Sequence, residues 1–99
     1  MSPTLDTAKD DWADVHEIGG FVLKRTSYFC PEQYDVYSDG KQVGYMRLRH
    51  GYFSVRVPNS GGVEVYSGHP KGDGGFLPEE REAYLRAGLY AIAIGYLAA

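Results

Sequence analysis

Arginine and tyrosine recur at alternate positions on both sides of His50-Gly51: Tyr45, Arg47 and Arg49 before it, Tyr52 and Arg56 after it. A guanidinium is a planar fork that grips carboxylates or phosphates and stacks on aromatic rings. Tyrosine adds rigid contact area with a polar tip, and both types are enriched at interface hot spots. With Tyr66 from the next run, Tyr45, Arg47, Arg49, Tyr52, Arg56 and Tyr66 form the candidate partner-binding set. The plainer reading is a solvated sheet in which each arginine lies over a neighbouring ring. The same residue types can stack single-stranded bases, which makes nucleic acid the competing partner. Against it stands the net charge of −3.

Other chemistry finds less support. Cys30 beside Pro31 has no identifiable base to activate it, and reads as a partly buried structural thiol. His16, His50 and His69 have no metal-ligand spacing with each other or with Cys30, so neither a metal nor a cofactor is expected. Asp35, Asp39, Glu64 and Asp73 fall on turns or outer faces where nothing shifts their pKa. The glycine-rich run from His69 to Gly75 lacks the spacing and the Lys-Ser/Thr pair of a phosphate-binding loop, and reads as a mobile connector. No catalytic residue is assigned.

The elements that position the arginines follow from periodicity. Met46, Leu48, Phe53, Val55 and Val57 occupy the alternate positions left by the Tyr/Arg set, which is the pattern of a half-buried antiparallel hairpin, Gln42–Arg49 and Tyr52–Val57. Ser38-Asp39-Gly40-Lys41 is a tight-turn signal, since Asp-Gly supplies positive φ. It joins this hairpin to a strand over 33–38. Phe21–Phe29 reads as the first strand and Val63–Ser67 as the last, with Val63 and Val65 inward and Glu64 and Tyr66 outward. A helix follows from Pro78 to Leu97. Pro78 suits its first turn, Glu79 and Glu80 complement its dipole, and Glu82 and Arg86 pair at i,i+4. Leu85, Leu89, Ile92 and Tyr96 form its sheet-facing stripe.

The expected fold is α+β: an antiparallel sheet of four to five strands, with the C-terminal helix packed on one face. It forms one domain, comprising an acidic arm or short helix at 1–17, the sheet at 18–68, the connector at 69–77 and the helix at 78–98. Thr7–Glu17 could open with Thr7 as N-cap, and Trp12 would anchor it to the sheet. From Ala87 to Ala99 the helix carries no charge on any side, and a helix apolar all round is buried all round. A homodimer through Leu89, Tyr90, Ile94 and Leu97 is therefore expected, the alternative being that the N-terminal arm with Trp12 folds over this surface. Charge is uneven as well: the arm holds Asp6, Asp10, Asp11, Asp14 and Glu17 against Lys9, whereas Lys41–Pro58 holds four bases and no acid. A single cysteine, no signal-peptide core and no membrane-length apolar run lead to an expectation of a cytoplasmic protein.

The run Tyr34–Phe53 (YDVYSDGKQVGYMRLRHGYF), with PKGDG at Pro70–Gly74 and PEER at Pro78–Arg81, resembles small proteins carried by bacteria, phages and other mobile elements. The resemblance spans about Gln33–Ala91 and transfers no catalytic or binding residue. Members of that class with known roles are often non-catalytic inhibitors, anti-CRISPR proteins among them, that dock on a host machine. The resemblance implies a phage-encoded inhibitor acting by protein–protein interaction on a host protein or nucleoprotein complex.

Overall fold

The computed structural model describes residues 14–27 and 30–98. Six strands form one antiparallel sheet in sequential order: β1 Val15–Ile18, β2 Phe21–Arg25, β3 Glu32–Ser38, β4 Lys41–Arg49, β5 Tyr52–Val57 and β6 Val63–Gly68. The helix α1, Pro78–Ile92, lies across one face and continues as a wider turn, Ala93–Leu97. The α+β class and the C-terminal helix are as the sequence suggests, but the sheet has six strands rather than four or five.

The additional strand is β1. Its residues 15–17 fall in the stretch read above as a short helix, yet they pair with β2, Val15 opposite Lys24 and Ile18 opposite Phe21. Gly19 and Gly20 both take positive φ between them. The same two-residue device recurs at Asp39-Gly40 and at His50-Gly51, again with both φ values positive. Such turns match the right-handed twist of the flanking strands. The rest of the proposed N-terminal helix, with Thr7 and Trp12, lies outside the described residues. β2 ends at Arg25, short of the predicted Phe29.

The inner face carries Leu23, Tyr34, Val36, Met46, Leu48, Phe53 and Val55, all buried, against Leu85, Leu89 and Ile92 of α1 and Phe76 of the connector. Two glycines let helix and sheet approach closely. A Cβ on Gly44 would overlap Ile92 Cδ1, and one on Gly88 would sit 2.9 Å from both Met46 Cε and Val55 Cγ2. Alanine normally improves a helix by about 1 kcal/mol over glycine. At position 88 overpacking opposes that gain, and the branched Val55 has little freedom to move. Gly88→Ala is expected to destabilise by about 1 kcal/mol net, within the usual range for overpacked cores, as read from the urea midpoint.

Two bulges re-aim side chains. Val36 pairs with Gly44 and Tyr37 with Gln42, so Val43 is an extra residue, and it is buried. In β6, Val55 pairs with Tyr66 and Arg56 with Glu64, so Val65 is the extra residue.

The connector is pinned. Gly51 N donates to Asp73 O at 2.7 Å and Glu32 N to Gly74 O at 2.7 Å. The Glu80 carboxylate accepts from Lys71 N and Gly72 N at 2.9 Å each and from Leu77 N at 3.0 Å. One side chain thus caps α1 and latches the loop before it. Desolvation opposes the Glu80 charge. The N–H groups of Leu77, Lys71 and Gly72, with the Lys71 charge, outweigh it and hold the carboxyl below its ordinary 4.5. A carboxyl with a depressed folded pKa contributes stability above its unfolded value, and that contribution is lost as pH falls through the folded one. Stability should therefore fall as pH drops below 4.5. Glu80→Ala should cost about 1 kcal/mol at pH 7, as for a lost helix cap, and should flatten that acid slope in urea titrations at pH 7 and pH 3.

Candidate functional site

The strand registers fix what shares the outer face. One cross-strand row runs Lys24, Asp35, Tyr45, Arg56, Glu64, and the next runs Gln33, Arg47, Ser54, Ser67. Arg49 and Tyr52 close the hairpin end. Helix α1 lies on the opposite face, and among the described residues no element covers this one.

Five of the six predicted partner-binding residues, Tyr45, Arg47, Arg49, Tyr52 and Arg56, do share this outer face. Tyr66 does not. The bulge at Val65 turns it to the inner face, where its ring meets Phe53 edge-on at 6.0 Å between centroids. Strict alternation along Val63–Ser67 assumed an unbroken ladder, and the extra residue reverses the parity beyond it. Val65 does pack on the core, but Val63, expected inward, is 71 % exposed at the sheet edge.

Local partners hold the face in shape. Tyr52 Oη and Ser54 Oγ each donate to the Glu64 carboxylate at 2.7 Å, and Tyr45 Oη donates to Gln33 Oε1 at 3.1 Å. The Tyr52 ring also meets His69 edge-on at 5.5 Å. The bonds from Tyr52 and Ser54, helped by the Arg56 charge, keep the Glu64 carboxyl below its ordinary value. This corrects the expectation that nothing shifts Glu64. Arg56 Nη1 donates to Gly62 O at 3.0 Å. Among the described residues neither Arg47 nor Arg49 has a carboxylate within ion-pairing distance.

Two adjoining depressions run along the β4–β5 hairpin. One, of about 310 Å³, is lined by Tyr45, Arg47, Ser54, Arg56 and Ser60. The other, of about 400 Å³, is lined by Arg47, Arg49, His50, Tyr52 and Ser54. Both linings include guanidinium and hydroxyl groups, and neither contains a carboxylate. The chemistry available is anion recognition by charge-assisted hydrogen bonds. No family model, curated protein or solved structure matches the chain.

A third hollow, of about 380 Å³, joins Cys30, Pro31, Arg49, His50, Asp73 and Gly74 at the end of the hairpin. Cys30 is exposed rather than partly buried. Among the described residues no group of three or more His, Cys, Asp or Glu side chains is placed to hold a metal ion. No helix there is long and apolar enough to cross a membrane.

The inner face holds a polar cluster that local patterns did not reveal. Glu32 and Arg81 are buried and paired, with Arg81 Nε donating to Glu32 Oε2 at 2.7 Å and Arg81 Nη2 to Oε1 at 3.1 Å. Phe76 N donates to the same carboxylate at 2.9 Å, and Tyr34 Oη donates to it as well. Burial, then the adjacent Glu32 charge, push the Tyr34 hydroxyl far above its ordinary 10.0. This cluster ties β3, the connector and α1 together. It is enclosed, and its role is architectural.

The predicted dimer residues divide. Tyr90, Ile94 and Leu97 are 68 %, 56 % and 46 % exposed, whereas Leu89 is in the core. The helix turns Leu89 toward the sheet, so it is not available to a second chain.

Proposed function

We propose that the protein is a non-catalytic binding module that docks on a macromolecular partner through the outer face of the β4–β5 hairpin. One observation carries this reading: the uncovered face gathers Arg47, Arg49 and Arg56 around adjoining depressions with no lining carboxylate. The buried Arg81, by contrast, meets Glu32 inside the fold. Tyr45 and Tyr52 supply contact area and are already held by their hydroxyls, so little side-chain entropy is lost on docking. An inhibitor from a phage or other mobile element that occludes a host machine fits this role, and that extension rests on the resemblance at 33–91.

Single-stranded nucleic acid is the alternative use of the face. Glu64 disfavours it, because a fixed carboxylate beside Tyr52 and Ser54 repels a continuous phosphate backbone. Affinity capture from bacterial lysate, with and without nuclease, tests the two. Capture of a protein that survives nuclease and is lost with Arg47→Glu/Arg49→Glu supports docking on protein; capture lost with nuclease points to nucleic acid.

We also propose that Tyr90, Ile94 and Leu97, at i, i+4 and i+7, pair with a second copy. Sedimentation at tens of micromolar should show a dimer, and Ile94→Asp a monomer.

A further inference from the structure

We infer that the partner segment is an extended acidic strand with carboxylates two residues apart, each seated in one of the two depressions on the hairpin. The inference rests on the docking reading and adds a chemical pattern to it. Arg47 and Arg49 lie on one face of β4, two residues apart. At the rise of a strand that separation is about 7 Å. Arg47 and Arg56 are diagonal neighbours across β4 and β5, about 7–8 Å apart at the backbone. The first depression therefore presents two guanidinium forks with Tyr45, Ser54 and Ser60 around them. The second presents Arg49 beside His50 and Tyr52, and shares Arg47 and Ser54 with the first. A peptide laid extended along the hairpin repeats its side chains on one side with the same period. Its acids at alternate positions then meet successive depressions, and its uncharged residues fall between.

Charge placement selects a peptide over a nucleic acid. Glu64 fixes a negative charge beside Ser54 and Tyr52, at the border of the face. A segment with interrupted charge can set a neutral residue there, and a sugar–phosphate chain cannot. The tyrosine rings are also tethered through their hydroxyls, Tyr45 to Gln33 and Tyr52 to Glu64, which leaves them poorly free to reorient for base stacking.

The test titrates isotope-labelled full-length protein with three probes. The first is a capped peptide alternating Glu and Thr. The second has the same composition with its Glu residues contiguous, and the third is an oligothymidylate of equal charge. The Arg47, Arg49 and Arg56 side-chain N–H signals report the site, and core methyl signals report the fold. The alternating peptide should shift the arginine signals and bind about tenfold more tightly than the contiguous one, a difference of one charge-assisted contact. Arg49→Gln should erase that preference. Equal binding of both peptides at these arginines overturns the alternating pattern and leaves the docking reading standing. Binding of oligothymidylate alone overturns both. Unmoved arginine signals with every probe at millimolar concentration overturn the inference.

Discussion

Arg81→Ala is expected to lower the free energy of unfolding by about 3–5 kcal/mol, the range for removing one partner of a buried ion pair. A domain of this size has only about 5–15 kcal/mol in total, so the variant should lose a large fraction of its stability. The cost comes from what remains. Glu32, Tyr34 and Arg81 are enclosed, and the Glu32 carboxylate would keep only the hydrogen bonds from Phe76 N and Tyr34 Oη. A buried charge with half its partners is worse than none. Replacing both members with apolar residues, Glu32→Leu with Arg81→Met, removes that orphaned charge and often restores stability elsewhere. Recovery should be partial in this protein, because Phe76 N–H and the Tyr34 hydroxyl would then lose their acceptor. Thermal and urea unfolding followed by circular dichroism would rank the three proteins as wild type, double variant, Arg81→Ala. A single variant within 1 kcal/mol of wild type would contradict the account of the cluster.

That cluster also shows where sequence reading stops. The turns at Asp39-Gly40 and His50-Gly51 and the alternation of Met46, Leu48, Phe53 and Val55 are local signals, and they place the hairpin and its two faces correctly. The Glu32–Arg81 pair spans 49 residues, and no local pattern pairs two such positions. One clue was present. Arg81 stands one helical turn before Leu85 on the inner stripe of α1, and Glu32 and Tyr34 share the parity of Val36 on β3. A charge at a core position requires a buried partner of opposite sign. Strand β1 was hidden differently: Val-His-Glu-Ile is too short to display a period against the helix-like spacing of Trp12 and Val15. Tyr66 was lost to a bulge, a one-residue change that leaves composition and spacing untouched and reverses every side chain after it. The outer arginines were legible because they lie within one uninterrupted hairpin.

Arg47→Glu with Arg49→Glu should leave stability within about 0.5 kcal/mol of wild type, as for surface substitutions without local partners, while abolishing partner binding. The two halves of this expectation have separate causes. Neither arginine is ion-paired among the described residues, so reversing them strands no carboxylate inside the fold. A new glutamate at position 47 also lies diagonal to Arg56 across the β4–β5 pair, which offsets repulsion from Glu64 and from Asp35 on β3. Binding responds differently. A hydrogen bond to a charged group is worth about 1.5–3 kcal/mol, so losing two costs about 3–6 kcal/mol. That is about two to four orders of magnitude in Kd, before any repulsion between the new carboxylates and those of the partner. The double variant Arg47→Gln with Arg49→Gln separates the terms, since it removes the contacts without the repulsion and should bind weakly where the reversal does not bind at all. Calorimetric titration against the captured partner at low and moderate salt measures both. If the reversal binds as wild type while its unfolding curve is unchanged, the hairpin face is ordinary solvated sheet. The exposed strip of Tyr90, Ile94 and Leu97 is then the next candidate docking surface, and Ile94→Asp tests it.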